Sequence, residues 1–322
     1  MGLLIDGVWH DDDSRTLDAE GRMRRAAAGF RNWITADGSP GPSGEGGFKA
    51  EAGRYHLIVA RACPWAHRTT IVRELKGLQN LVSLSVTHWL MAENGWTFAP
   101  GPGVTADPII GADYLHQIYA AAAPGYTGRV SVPVLWDKQK KTVVSNESSE
   151  IIRMFNGAFD GLGAAPGDFY PAALRPEIDA LNERIYTTLN NGVYRAGFAG
   201  TQAAYDEAIG PLFDTLDWLE GILSRSRYLT GDRLTEADWR LFTTLVRFDP
   251  VYVGHFKCNL RRLIDYPALW SYVRELFQMP GIRGTVDFDH IMQHYYASHR
   301  RINPTGIVPK GPILDFEAPP SR

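Results

Sequence analysis

The period of the apolar residues changes once along this chain, and that change constrains the fold more than any other feature. Between residues 51 and 156 strand-like and helix-like stretches alternate, whereas from Pro171 onward the period is helical throughout. HLIVARA, starting at His56, is a nearly continuous apolar run suited to a strand buried on both faces. CPWAHRTTIVRELKG follows as a helix, with Pro64 in the first turn, Ile71, Val72 and Leu75 on one face, and Lys76-Gly77 as its stop. LVSLSVTH alternates, setting Val82, Leu84 and Val86 against Ser83, Ser85 and Thr87. A long insertion through Trp96 and GPGVTADP reads as irregular. SVPVLWD, the turn DKQKK and TVVSN then read as a hairpin, and SSEIIRMFN closes the unit as a helix with Ile151, Ile152 and Phe155 on one side.

This gives an α/β unit over residues 51–156, a linker over 157–170 and an all-helical domain with a tail over 171–322. Residues 1–50, rich in Gly, Asp, Ser and Pro, read as an extended lead. In the helical half Ile178, Leu181, Ile185 and Leu189 mark one helix. Leu212, Phe213, Leu216, Leu219 and Leu223 mark another, which Pro211 is expected to bend or start. LTEADWRLFTTLV carries a capping box between Thr235 and Asp238, and YPALWSYVRELFQMPG reads as a helix from Pro267 to the Pro280-Gly281 stop. GLGAAP, in the linker, lacks the third glycine of a dinucleotide fingerprint and follows a helix, so it is set aside.

At 322 residues two domains are the natural prior. A net charge of −3, with 44% apolar and 21% charged residues, gives no reason to expect nucleic acid or an anionic membrane as partner. The start, MGLLIDGVWHDDDS, has neither a basic n-region nor a long apolar run, and Asp6 stands where a myristoylation signal needs Ser or Thr. No apolar segment is long enough to span a bilayer. Two cysteines far apart in sequence, Cys63 and Cys258, make no disulfide framework. The expectation is a cytoplasmic protein with reduced thiols.

Cys63 stands where a buried strand hands over to a helix, and three residues on, at the place of a second redox thiol, stands Ala66. Unpaired amides at a helix start and the helix dipole both favour thiolate over thiol. The dipole is worth about 0.3–1 kcal/mol, less than one pKa unit at about 1.36 kcal/mol. Further donors to the sulfur are therefore needed for catalysis, and tyrosine hydroxyls are the expected source. The competing reading is a small buried hydrophobe, as most free cysteines are. Pro64 and Trp65, which fix the junction, favour the reactive one.

A strand-rich unit, a linker and an all-helical second half are the plan of glutathione transferases. CPWAHRT, GWTF, RVSVPVLWD, SNESSEI, NNGVYRAGF, VYVGHFKCN and HYYASHRRINPTGI resemble, in order and over nearly the whole chain, the Xi class of that family, the glutathionyl-hydroquinone reductases. The resemblance implies a thioredoxin-like α/β N-terminal domain, an all-α C-terminal domain and a homodimer. It makes Cys63 the nucleophile and assigns glutathione binding to Trp96, Arg129, Val130, Ser131, Val132, Glu147 and Ser148. It implies a cis Val132-Pro133 bond that presents the Val132 backbone to an extended peptide. Glu147 would meet the ammonium group, Ser148 the γ-glutamyl carboxylate and Arg129 the anionic peptide.

Each assignment has a plainer rival. Ser148 could be only a helix cap, whereas Trp96, in a Gly- and Pro-rich insertion, is hard to explain as core. Asn146-Glu147-Ser148 also matches a glycosylation sequon that a cytosolic chain would not use. Tyr194, Tyr252 and Tyr295 match family tyrosines that move a proton or lower the pKa of the cysteine, with Tyr296 a neighbour that could stand in for Tyr295. His290 and His294, four apart, and His255 with Cys258 lack the further ligands of a metal site, so no metal is expected.

The implied activity is glutathione-dependent reduction of glutathionyl-hydroquinones through a Cys63–glutathione mixed disulfide. Rivals are a glutaredoxin-like thiol transferase or dehydroascorbate reductase, a conjugating transferase and a non-catalytic glutathione-binding scaffold. The second thiol can come from solution, so an internal one is unnecessary.

Overall fold

The computed structural model describes residues 2–11 and 17–321; Met1, Arg322 and, within the expected lead, Asp12, Asp13, Ser14, Arg15 and Thr16 lie outside the described residues. The chain divides into two compact units. The first is built mainly from Ala26–Asp168 and takes in Thr285–His290, and the second mainly from Phe169–Gly284 and residues 291–321.

The lead is not wholly irregular. Strands β1 (Leu3–Ile5) and β2 (Val8–His10) form a hairpin in the first unit, and Leu3 and Leu4 are buried. Residues 17–25 group with the second unit, where the Asp18 carboxylate accepts from the amides of Glu20 and Arg22 at 3.1 and 2.8 Å.

The first unit is organised around β3 (Tyr55–Val59), all five residues of which are buried, as the apolar run predicts. Helix α1 (Pro64–Leu75) follows, capped at its end by Lys76, after which Gly77 takes a φ of 62°. Next come β4 (Val82–Val86), the short hairpin β5 (Met91–Ala92) and β6 (Gly95–Trp96), and helix α2 (Leu115–Ala122). β7 (Gly128–Arg129), the hairpin β8 (Val134–Asp137) and β9 (Thr142–Ser145), and helix α3 (Ser148–Gly157) complete the unit. The central sheet runs β4-β3-β8-β9, with β3 parallel to β4 and antiparallel to β8. A smaller sheet, β2-β1-β7, pairs Leu3 with Arg129.

One expectation about this unit needs correction. The insertion is not irregular throughout, because it contains α2, whose Leu115, Ile118 and Tyr119 at helical spacing are all buried. In β4 the expected alternation is present, and its serine side meets a buried histidine. His56, 2% exposed, lies across it, with Nδ1 2.7 Å from Ser83 Oγ and Nε2 2.8 Å from Ser85 Oγ, while Leu84 is left half-buried. The alternation is real, but its polar side satisfies a buried imidazole.

The second unit is helical. α4 (Arg175–Arg184) runs through a π-helical stretch, Ile185–Asn190, into α5 (Gly192–Gly197). Ile178, Leu181, Ile185 and Leu189 are buried, yet they belong to a run whose turns widen part-way and not to one regular helix. α6 (Gln202–Leu223) contains Pro211 on an exposed face, so the proline neither starts nor ends it. α7 (Glu236–Leu245), a second π-helical turn at Phe248–Tyr252, and α8 (Pro267–Gln278) follow. α9 (Phe288–Ser298) carries the HYY sequence. The capping box forms, and the fully buried Asp238 carboxylate accepts from Thr235 N, Leu229 N and Tyr272 Oη at 2.8, 3.0 and 2.9 Å. The tail is pinned to α8: Phe316 packs against Trp270 and Phe277, and Gln278 Nε2 donates to the carbonyls of Phe316 and Ala318, each at 2.8 Å. No helix among the described residues is long and apolar enough to cross a membrane.

Candidate active site

Cys63 is the residue at which the buried strand turns into α1. Its backbone is extended (φ −76°, ψ 120°), its carbonyl accepts from His67 N, and Pro64 opens the helix without a donor to lose. The side chain is half-exposed, unlike that of Cys258, which is fully buried and whose thiol is pushed up by that burial. A thiol at a helix start that solvent can reach suits nucleophilic chemistry, and a sealed one does not.

The backbone of Val132 lies beside it. Cys63 Sγ is 3.7 Å from the Val132 carbonyl oxygen, and the Val132–Pro133 peptide is cis. Val130 and Ser131 are half-buried and Val132 is buried. Arg129, half-buried in β7, is paired through its backbone with β1. Cys63 and the extended segment therefore come together, as the spacing of CPWA and RVSVP could not itself reveal.

A second set gathers at the start of α3. Glu147, not Ser148, is the cap: its Oε1 accepts from Ser149 N at 3.0 Å and from Ser149 Oγ at 2.9 Å. Ser148 is the first residue inside the helix and is buried, which removes the cap reading of that side chain. Glu150 in the same turn holds Arg31 of the lead, with Arg31 Nε 2.7 Å from Glu150 Oε2. A carboxylate, a hydroxyl and the amides of a helix start form a donor and acceptor set suited to an amino-acid head group.

Trp96 is placed differently from expectation. It is 7% exposed and belongs to the hydrophobic core of the first unit, so a core role does account for it. The β5–β6 hairpin, unread in the sequence, is what carries the ring there.

In the second unit three tyrosines meet. Tyr194 Oη lies 2.5 Å, and Tyr252 Oη 3.1 Å, from Tyr295 Oη. Tyr295 and Tyr252 are buried, and Tyr295 is held well above the ordinary tyrosine range, first by burial and then by Tyr194 and Tyr252. Tyr296 turns elsewhere, its hydroxyl 3.4 Å from the Pro250 carbonyl, so within HYY it is Tyr295 that joins the cluster. Tyr194 follows the first π-helical stretch and Tyr252 ends the second, a common setting for functional side chains.

Comparison with known proteins accords with this geometry. Residues 62–158 match the family model "Glutathione S-transferase, N-terminal domain", and 202–275 match "Glutathione S-transferase, C-terminal domain". The chain is 59% identical over 323 residues to the glutathionyl-hydroquinone reductase YqjG of Escherichia coli K12, spanning 100% of this chain and 98% of that protein. The glutathione-bound structure of YqjG superposes with a TM-score of 0.93 at 58% identity, covering 100% of this chain and 99% of that one. The glutathionyl-hydroquinone reductase PcpF of Sphingobium chlorophenolicum is 57% identical over 97% of this chain and 96% of its own. A Xi-class transferase from Natrialba magadii gives a TM-score of 0.93 at 48% identity, over 100% of this chain and 97% of that one.

The chain belongs to the Xi-class glutathione transferases. In this Xi-class transferase the histidines are absorbed into packing. His290 Nε2 lies 2.7 Å from the Pro102 carbonyl, and His255 Nε2 lies 3.2 Å from His299 Nδ1. Burial draws His255 down to about 4, and no group of three or more His, Cys, Asp or Glu that could hold a metal occurs among the described residues. A buried tyrosine beside Ser131 and Asn146 that the sequence reading did not single out is Tyr119, on the unread helix α2. Its only sequence signal was the Leu115-Ile118-Tyr119 spacing over eight residues.

Proposed function

We propose that this Xi-class transferase reduces glutathionyl-hydroquinones to hydroquinones with glutathione as co-substrate, through a mixed disulfide on Cys63. The observation that carries the reading is a single accessible thiol at a helix start, 3.7 Å from the Val132 carbonyl, with the other cysteine sealed. The reductase names of YqjG and PcpF, at 59% and 57% identity, support the substrate class.

Glutathione is taken to lie along Arg129, Val130, Ser131 and Val132, its backbone pairing with Val132, with its γ-glutamyl end at Glu147 and Ser148. Trp96 is proposed to bound that site from the core side. Protonation of the ring carbon that bears sulfur, by way of Tyr194, gives the keto tautomer. The Cys63 thiolate then attacks sulfur, the carbon–sulfur bond breaks, and its electron pair returns the ring to the hydroquinone. Cys63 is oxidised to a mixed disulfide as the ring carbon is reduced. A second glutathione attacks that disulfide, releasing oxidised glutathione and restoring the thiolate. Tyr252 and Tyr295 are proposed to favour the thiolate and to hold Tyr194 in its role.

Residues 51–156 are read as the glutathione-binding domain and 171–322 as the helical domain that serves the ring. The protein is taken to be a cytoplasmic homodimer, as the family resemblance implies, and light scattering tests the assembly. Replacing Cys63 by Ala should abolish hydroquinone formation. Wild-type protein should turn over an aryl thioether of glutathione far better than a small disulfide; the opposite preference would favour a glutaredoxin-like transferase.

A further inference from the structure

The two glutathione-holding segments, Arg129–Val132 and Asn146–Ser148, are joined through one buried side chain. Tyr119, fully buried on α2, donates its hydroxyl to the Ser131 carbonyl at 2.7 Å and accepts from Ser131 N at 3.3 Å. The same oxygen accepts from Asn146 Nδ2 at 3.0 Å. One donor and two acceptor positions exhaust what a tyrosine hydroxyl offers. Asn146 is held from its other side as well, since its Oδ1 accepts from Phe30 N at 3.1 Å and its own amide donates to Phe30 O at 3.2 Å. Asn146 immediately precedes the cap Glu147, and Ser131 immediately precedes Val132.

We propose that Tyr119 is a positioning residue for glutathione, fixing the spacing between the segment that pairs with the peptide backbone and the segment that meets its γ-glutamyl end. The inference rests on the placement of glutathione given above. A tripeptide that touches both segments feels their separation, whereas a small reagent that meets only the sulfur does not. Ring packing alone does not require the hydroxyl: Tyr119 meets Phe30 and Tyr126 edge-on or tilted, at 5.8 and 5.3 Å between centroids, contacts that phenylalanine would keep.

The test is Tyr119→Phe, with Asn146→Ala as an independent break of the same junction. The probe is S-methylglutathione, which cannot be turned over, titrated by calorimetry against the full-length protein. The rate of Cys63 alkylation by iodoacetamide is measured in parallel. Each variant should weaken S-methylglutathione about 5- to 30-fold, the range for losing a buried hydrogen bond, with alkylation within twofold of wild type. The double variant should be little worse than either single one, because both remove one junction. Affinity within twofold of wild type in Tyr119→Phe overturns the proposal. So does a parallel collapse of affinity and alkylation, which would mark a general structural role. Wild-type protein that fails to bind S-methylglutathione removes the placement of glutathione itself, and this proposal with it.

Discussion

The hydroxyl oxygens of Tyr194 and Tyr295 lie 2.5 Å apart, and Tyr252 reaches the same Tyr295 oxygen at 3.1 Å. Three phenols sharing two hydrogen bonds are the arrangement that the proposed proton transfer through Tyr194 requires. Burial holds Tyr295 well above the ordinary tyrosine range, which keeps its hydroxyl protonated and able to donate, as the proposed role needs.

Replacing Tyr194 by Phe should therefore slow release of hydroquinone from an aryl thioether by roughly 100-fold, within the range for a positioned acid or base. Reduction of a simple disulfide needs no ring protonation and should fall less than tenfold. Steady-state rates on the two substrates read the difference, and equal slowing would argue against the protonic role.

Asp238 is a buried carboxylate whose partners are Thr235 N, Leu229 N, Tyr272 Oη and Thr235 Oγ1, the last at 3.1 Å. Asp238→Ala leaves these donors buried without an acceptor and should cost about 3 kcal/mol of stability. A lower urea midpoint, with glutathione binding kept by the protein that remains folded, is the expected result. An unchanged midpoint would show that the box is idle.

Burial lowers His56 to about 4, with the nearby Lys138 adding to the effect, against 6.5 for an unperturbed imidazole. Between these values the unfolded chain binds a proton that the folded one refuses. Stability is therefore intact above pH 6.5 and is lost as pH falls toward 4, with a slope of up to about 1.4 kcal/mol per pH unit from this one residue. His255, also lowered to about 4, adds in the same direction. His56→Gln should flatten the dependence measured by urea denaturation from pH 7 to 4.5, and an unchanged slope would refute the assignment.

Phe316 is 6% exposed and sits between Trp270 and Phe277. Phe316→Ala should destabilise by about 3 kcal/mol and free the tail for proteolysis. A tail cleaved no faster than in the wild type would mean that the Gln278 hydrogen bonds suffice.

The parts of this molecule legible in the sequence are those where one physical demand sets the residues. A strand buried on both faces must be apolar, as Tyr55–Val59 is; a helix entered from such a strand can take proline, as at Pro64. The hairpin around Asp137 and the Thr235 box were read for the same reason. What escaped reading was settled by distant partners. The Ser83–Ser85 face looks solvated until His56 is placed across it. Helix α2 is too short for its spacing to stand out among glycines and prolines, and Trp96 is hard to read as core until the β5–β6 hairpin carries it there. The contact between Cys63 and Val132 spans 69 positions and was reachable only through family resemblance.

The most direct test of the account is the mass of the intact protein after one equivalent of a glutathionyl-hydroquinone, with no free glutathione present. The account predicts release of one hydroquinone and a gain of one glutathionyl group, mapped by peptide digestion to Cys63 and removed by added glutathione. Hydroquinone released with Cys63 left unmodified, or the group found on Cys258, would contradict it.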